Sequence, residues 1–143
     1  SANAANIENT DIDNFSAPPS ISNTYLAVPE DENGVRVKDN NSSVYLYITS
    51  SPYNLFVQTW GLSDANWSSS TANRTCNANG ASTTHVTVTP GRRYVIKNLI
   101  KERGDRCAGL KFCSSSYYNY AAIQGVWSPD FSGNPNLNVT VAN

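Results

Sequence analysis

Four side chains could act as soft metal ligands or activated nucleophiles: Cys76, Cys107, Cys113 and His85. Zinc sites usually draw four Cys or His ligands in close pairs. This chain has no Cys-x2-Cys pair and only one histidine, so no metal site is expected. A catalytic thiol needs a neighbouring base. His85 is the sole imidazole, and in "THVTV" it falls on the polar register, out of phase with Val86 and Val88. The pattern predicts an exposed strand histidine. The carboxylates fall in Asp11/Asp13, Glu30/Asp31/Glu32 and Asp64. Glycoside hydrolysis needs two acids held facing each other, whereas these read as solvated loop charge. Asp31, Glu32 and Asn33 lack the ligand spacing of an EF-hand. The chain reads as non-enzymatic, with no catalytic residue, no metal and no cofactor.

The cysteines then read as a staple. Cys107 and Cys113 frame "CAGLKFC". On a continuous strand their Cα atoms lie roughly 20 Å apart, well beyond the reach of a disulfide. Cys76 and Cys107 both fall in loop-like text, so the expected disulfide is Cys76–Cys107, with Cys113 free or packed. Closing a loop of that size contributes roughly 3–4 kcal/mol in the chain-entropy model.

Aromatic residues offer a different chemistry. Tyr117, Tyr118 and Tyr120 cluster in "SSSYYNY", and Trp67 sits in a polar stretch. Sugar-binding surfaces stack pyranose rings on Tyr and Trp beside amide and hydroxyl groups, because such rings have an apolar body and polar edges. These four residues are the candidate ligand-binding set. The competing reading is that the rings fill the core. "PGRRY" and "KERGDR" bring Arg92, Arg93, Lys101, Arg103 and Arg106 close in sequence. They make either a basic patch for an anionic polymer or two ordinary charged turns.

The elements that must position these residues are strands. "SVYLYITSS" alternates Val44, Leu46 and Ile48 against Tyr45, Tyr47 and Thr49, the clearest period of two in the chain. "LFVQTWGLSD" follows after a Pro-Tyr-Asn turn, and the two are expected to pair as an antiparallel hairpin. "NTYLAVP", "THVTV", "RYVIKNLI", "AGLKF", "AAIQGVW" and "LNVTV" add further short strands, separated by Gly, Pro, Asn and Ser turn signals. No amphipathic helix is apparent. The fold class is all-β: an antiparallel β-sandwich or jelly-roll-like fold of about eight short strands. Residues 1–23, with few apolar side chains and a Pro-Pro pair, read as a loosely ordered N-terminal arm or an extended edge segment that Ile7, Ile12 and Phe15 could dock. Residues 24–143 form a single sandwich domain.

Composition sets the wider limits. Charged residues are only 15% and net charge is −1 at neutral pH. Ser, Thr and Asn make up about a third of the chain, which suits exposed strand faces and tight turns. Without a basic field, nucleic acid is not an expected partner. No apolar run is long enough to suggest a transmembrane segment. "SANAANIEN" has the small residues of a signal-peptidase site, so a signal peptide is presumed removed; the alternative is a cloning remnant ahead of the mature start. Either way the expected localisation is secreted.

From "VYLYITSS" through "TTHVTVTPGRRY" to "AGLKFCSSSYYNYAAIQGVWSPDFSG", residues 44–133, the chain resembles a small family of uncharacterised exported proteins of Gram-positive bacteria. Some of these are encoded beside bacteriocin-associated transporters. Gly125, Val126 and Trp127 match the family's closing "GxW", whereas the three cysteines depart from it. The resemblance implies export, an all-β fold and a bacteriocin association, and supplies no functional residues. The functional expectation is an exported non-enzymatic protein acting by binding, as an effector of a bacteriocin locus. The alternative is a carbohydrate-binding or adhesin-type module whose partner is a cell-surface glycan or protein.

Overall fold

A computed structural model describes residues 4–134 and 136–143 of the chain. The opening Ser1–Asn3 and Pro135 of the last turn run lie outside the described residues. Among the described residues eleven strands form two packed sheets. They are β1 (Thr10–Ala17), β2 (Leu26–Ala27), β3 (Val35–Val37), β4 (Val44–Ser50), β5 (Leu55–Leu62), β6 (Thr71–Asn73), β7 (Val86–Val88), β8 (Arg93–Ile96), β9 (Cys107–Ser114), β10 (Ala121–Ser128) and β11 (Thr140–Val141). The first sheet runs β1-β10-β4-β8-β11. The second runs β2-β9-β5-β6, with β3 on β9 and β7 on β5. Every pairing is antiparallel except β8–β11, which is parallel. The only helical pieces described are single 3-10 turns at Ser20–Ser22 and Glu30–Glu32. The all-β sandwich is therefore the fold, with β1, β3 and β6 as additions to the expected set.

The alternation read from the sequence is the inner face of each sheet. Val44, Leu46 and Ile48 of β4 join Ile96, Ile123 and Trp127 from the first sheet. They meet Leu55, Val57, Val86, Val88, Leu110 and Phe112 from the second. All are buried. Truncating one of them, as in Leu46→Ala, is expected to cost about 2–5 kcal/mol through lost contacts and the cavity left behind.

Two expectations about organisation are corrected. The loose arm over 1–23 gives way to the other reading, an extended edge segment, since β1 pairs with β10 from Thr10↔Trp127 to Ala17↔Ala121. Ile12 and Ala17 enter the core, and Phe15 packs 5.9 Å from Phe112 across the sandwich. Few apolar residues suffice because an edge strand buries one side chain in two. A register shift between Ile12 and Phe15, with Asn14 at positive φ, interrupts the ladder. Such a bulge blunts an open sheet edge. The expected β4–β5 hairpin does not form. β4 pairs with β10 and β8, β5 pairs with β9, β6 and β7, and residues 51–54 carry the chain from one sheet to the other. Alternation tells which face is apolar but not which strand lies alongside.

Strand direction gives the sandwich two distinct ends. Ala17↔Ala121, Ser50↔Gln124 and Leu55↔Ser114 mark the upper end, with the start of β8 facing it but recessed to the level of Tyr47 and Val126. Thr10↔Trp127, Val44↔Ile96 and Leu62↔Cys107 mark the lower end.

Candidate functional site

The upper end carries the tyrosines. β9 stops at Ser114, and residues 115–120 turn the chain toward β10. Serine hydroxyls hold this loop. Ser114 Oγ accepts from the Ser116 amide at 3.1 Å, and Ser116 Oγ accepts from the Asn119 amide at 3.2 Å and from Asn119 Nδ2 at 3.0 Å. Such short side chains replace a regular ladder at turns. Neighbouring segments tie the loop down. Ser115 N donates to Asn54 O at 2.9 Å, Ser20 N to Ser116 O at 2.9 Å, and Ile21 N to Tyr117 O at 3.0 Å.

With the backbone so engaged, the rings project outward. Tyr117, Tyr118 and Tyr120 are 57%, 75% and 64% exposed, and Tyr117 meets Tyr118 edge-to-face at 4.8 Å. Ile21 beside them is also exposed. Exposed apolar side chains gathered at one place mark an interaction surface more than scattered ones do.

Trp67 does not belong to this group. Its Nε1 donates to Val28 O at 2.7 Å and its ring lies on the outer face of the second sheet. A Cβ built on Gly109 would stand 2.6 Å from Trp67 Cη2, so only glycine lets the ring sit down on β9. Trp60 lies edge-on to it at 6.4 Å, and Lys111 Nζ sits 3.6 Å from the Trp60 ring centroid. Gly109 and Ser114 are five residues apart on one strand, roughly 17 Å. The expected four-residue aromatic set therefore splits into an exposed tyrosine loop and a half-buried tryptophan pair. Trp60 and Lys111 were not singled out from the sequence. Trp60 fell on the outward register of β5, and that was the available signal.

The expected Cys76–Cys107 disulfide is absent. All three cysteines are free and buried. Cys107 opens β9 and packs with Val35 and Leu62, Cys76 is held in a bridge with Ser82, and Cys113 Sγ lies 3.5 Å from Pro18 O. The three thiols lie in three separate buried places, and burial pushes all three thiol pKa values up. Raised thiol pKa values make poor nucleophiles.

His85 is half-buried and not an exposed strand residue. Nδ1 lies 2.6 Å from the Tyr25 hydroxyl, and the ring stacks 4.4 Å from Phe56. Burial lowers the imidazole pKa, which favours a neutral ring accepting the phenolic proton. Among the described residues no three His, Cys, Asp or Glu side chains gather to hold a metal. No described helix is long and apolar enough to cross a membrane.

The basic residues separate by end. Arg92 and Arg93 lie on the β7–β8 turn, which faces the upper end. Lys101, Arg103 and Arg106 lie on the β8–β9 connection at the lower end, where Arg106 pairs with Asp64 at 2.6 Å. The lower end also holds a feature without a sequence signal. Lys38 and Asp130 form a fully buried ion pair, Nζ to Oδ1 2.6 Å. Lys38 Nζ also donates to Pro129 O at 2.8 Å and to Ser42 O. Asp130 Oδ2 accepts from the amides of Asn6, Asp39 and Asn40 at 2.8, 2.9 and 3.3 Å. Burial alone would raise the Asp130 pKa, but these donors outweigh it and hold the carboxyl below its ordinary range. The network is satisfied and closed, so it reads as a clasp joining the N-terminal segment, the β3–β4 loop and the end of β10.

The molecule is an all-β sandwich with an apolar core, an exposed aromatic loop at one end and a closed ion pair at the other. The chain belongs to a family of proteins of unknown function, DUF2712, whose model matches residues 1–131. No curated protein and no solved structure matches it. The match begins at residue 1, so β1 is part of the family's domain.

Proposed function

We propose that the protein is an exported, non-enzymatic binding module whose contact surface is the upper-end loop, and that its ligand is a saccharide. The observation that carries this reading is the exposure of Tyr117, Tyr118 and Tyr120 on a loop whose own backbone is held by hydroxyl and amide groups. Leaving three rings in water is costly unless a partner covers them. Holding the loop in place before binding lowers the entropy lost on association. Asn119, Ser115 and Ser116 supply polar groups beside the rings, the mixture a pyranose ring needs.

Export rests on the charge-poor, Ser/Thr/Asn-rich composition and on the resemblance described above. The free thiols remove a disulfide as support for it. A bacteriocin-locus role has no feature of its own in the site.

The test is a glycan array that includes cell-wall polysaccharides, probed with the purified chain and with Tyr118→Ala. Saccharide binding by the wild type, reduced at least tenfold in the variant, is the expected result. Binding unaffected by Tyr118→Ala, or silence across the array, would overturn the reading.

A further inference from the structure

The β7–β8 turn, on the side of the first sheet that faces the upper end, holds a second chemistry. Gly91, at positive φ, turns the chain between β7 and β8, and its amide donates to Ile48 O of β4 at 2.8 Å. That bond fixes where the next two residues emerge. Arg92 is exposed and Arg93 half-buried, and both line a polar groove of about 370 Å³ with Asn138 and Thr140. Arg93 lies over the Tyr47 ring, 4.4 Å from its centroid, which orients the guanidinium.

Neither arginine has a carboxylate within 4.0 Å among the described residues, whereas Arg74 and Arg106 each do. Both line the same groove without a carboxylate partner, which leaves unneutralised positive charge there. Planar guanidinium forks match the oxygens of phosphate and carboxylate. Asn138 and Thr140 add an amide and a hydroxyl to the same groove. In the first sheet β8 and β10 flank β4. Through Tyr47, Arg93 is level with Val126, so about 10 Å across the sheet and roughly 17 Å along β10 separate it from Ala121, where the tyrosine loop ends, roughly 19 Å in all. An oligosaccharide spans that distance.

We propose that Arg92 and Arg93 form an oxyanion subsite, which takes the phosphate or carboxylate groups of a polyanionic saccharide whose rings lie on the tyrosine loop. This rests on the saccharide reading above and narrows its ligand to an anionic polymer.

The full chain is titrated with a glycerol-phosphate polymer, a polyuronate and a neutral β-glucan, at low salt and at 0.5 M NaCl. Wild type, Arg92→Gln/Arg93→Gln and Tyr118→Ala are compared, with thermal melts confirming that each variant is folded. The wild type should bind at least one anionic polymer more tightly than the neutral one, and salt should remove the difference. The double variant should lose about tenfold on the anionic polymer and keep its affinity for the neutral one. A preference for glycerol phosphate would assign phosphate, and a preference for polyuronate would assign carboxylate. An unchanged double variant, or no binding to either anionic polymer, would overturn the inference. Loss in Tyr118→Ala alone would leave the saccharide reading standing without the subsite. Loss in the arginine variant alone would do the reverse.

Discussion

The two ends of the sandwich treat polar and apolar groups in opposite ways. At the lower end a lysine and an aspartate are taken fully out of water and their hydrogen-bonding capacity is met by protein. At the upper end three tyrosines are left in water although the fold has room for rings elsewhere, as Trp127 in the core demonstrates. Burying charge is expensive unless it is paired and hydrogen-bonded. Exposing rings forgoes the free energy that their burial would contribute. One end therefore holds the chain together, and the other carries the exposed rings on which the proposed binding function rests.

Breaking the lower end should have the largest effect on stability. Lys38→Met leaves Asp130 buried without its cation, and urea melts should show a loss of about 3–5 kcal/mol. A loss under about 1 kcal/mol would mean that the clasp is incidental. Acid should act on the same network, because the folded pKa of Asp130 is depressed. Its contribution is fully present above the unfolded value of about 4 and is lost as pH falls through the folded value. His85 adds a milder term of the same sign. Its folded pKa is lowered, so the unfolded chain takes up a proton first, and stability declines as pH falls below about 6.5. Thermal melts from pH 7 to pH 3 should show a shallow decline followed by a steep one. In Asp130→Asn the steep phase should be diminished.

The upper end should respond least. Tyr118→Ala is expected to change stability by no more than about 0.5 kcal/mol, as for an exposed side chain, while removing saccharide binding. A melt lowered by several degrees would show that the ring supports the loop, and the contrast between the two ends would weaken.

Much of the fold was legible from residue types. The alternation of Val44, Leu46 and Ile48, of Val86 and Val88, and of Ile123, Gly125 and Trp127 marked strands and their inner faces, because a strand's side chains alternate whatever its partner. β1 was harder to see. "TDIDNFSA" has a bulge that breaks the alternation between Ile12 and Phe15, so its apolar residues do not fall on one register. Tyr117, Tyr118 and Tyr120 were visible as a cluster in turn-forming text. Trp67 was grouped with them because both lie in polar sequence, and polar sequence does not tell whether a single ring folds inward.

Residue types and their local spacing carry an all-β chain of short strands, which faces of those strands are apolar, and where the turn chemistry lies. Each of these follows from local sterics and hydrophobic period, which act over a few residues. Only the tertiary structure decided that β4 and β5 lie in different sheets, that three cysteines fill three separate niches, and that Lys38 meets Asp130. It also decided that Arg92 and Arg93 face the tyrosines' end of the sandwich while Lys101, Arg103 and Arg106 do not. The physical reason is common to all four. Pairing between residues far apart in the chain depends on which surfaces must be buried together, and no local pattern encodes that partner.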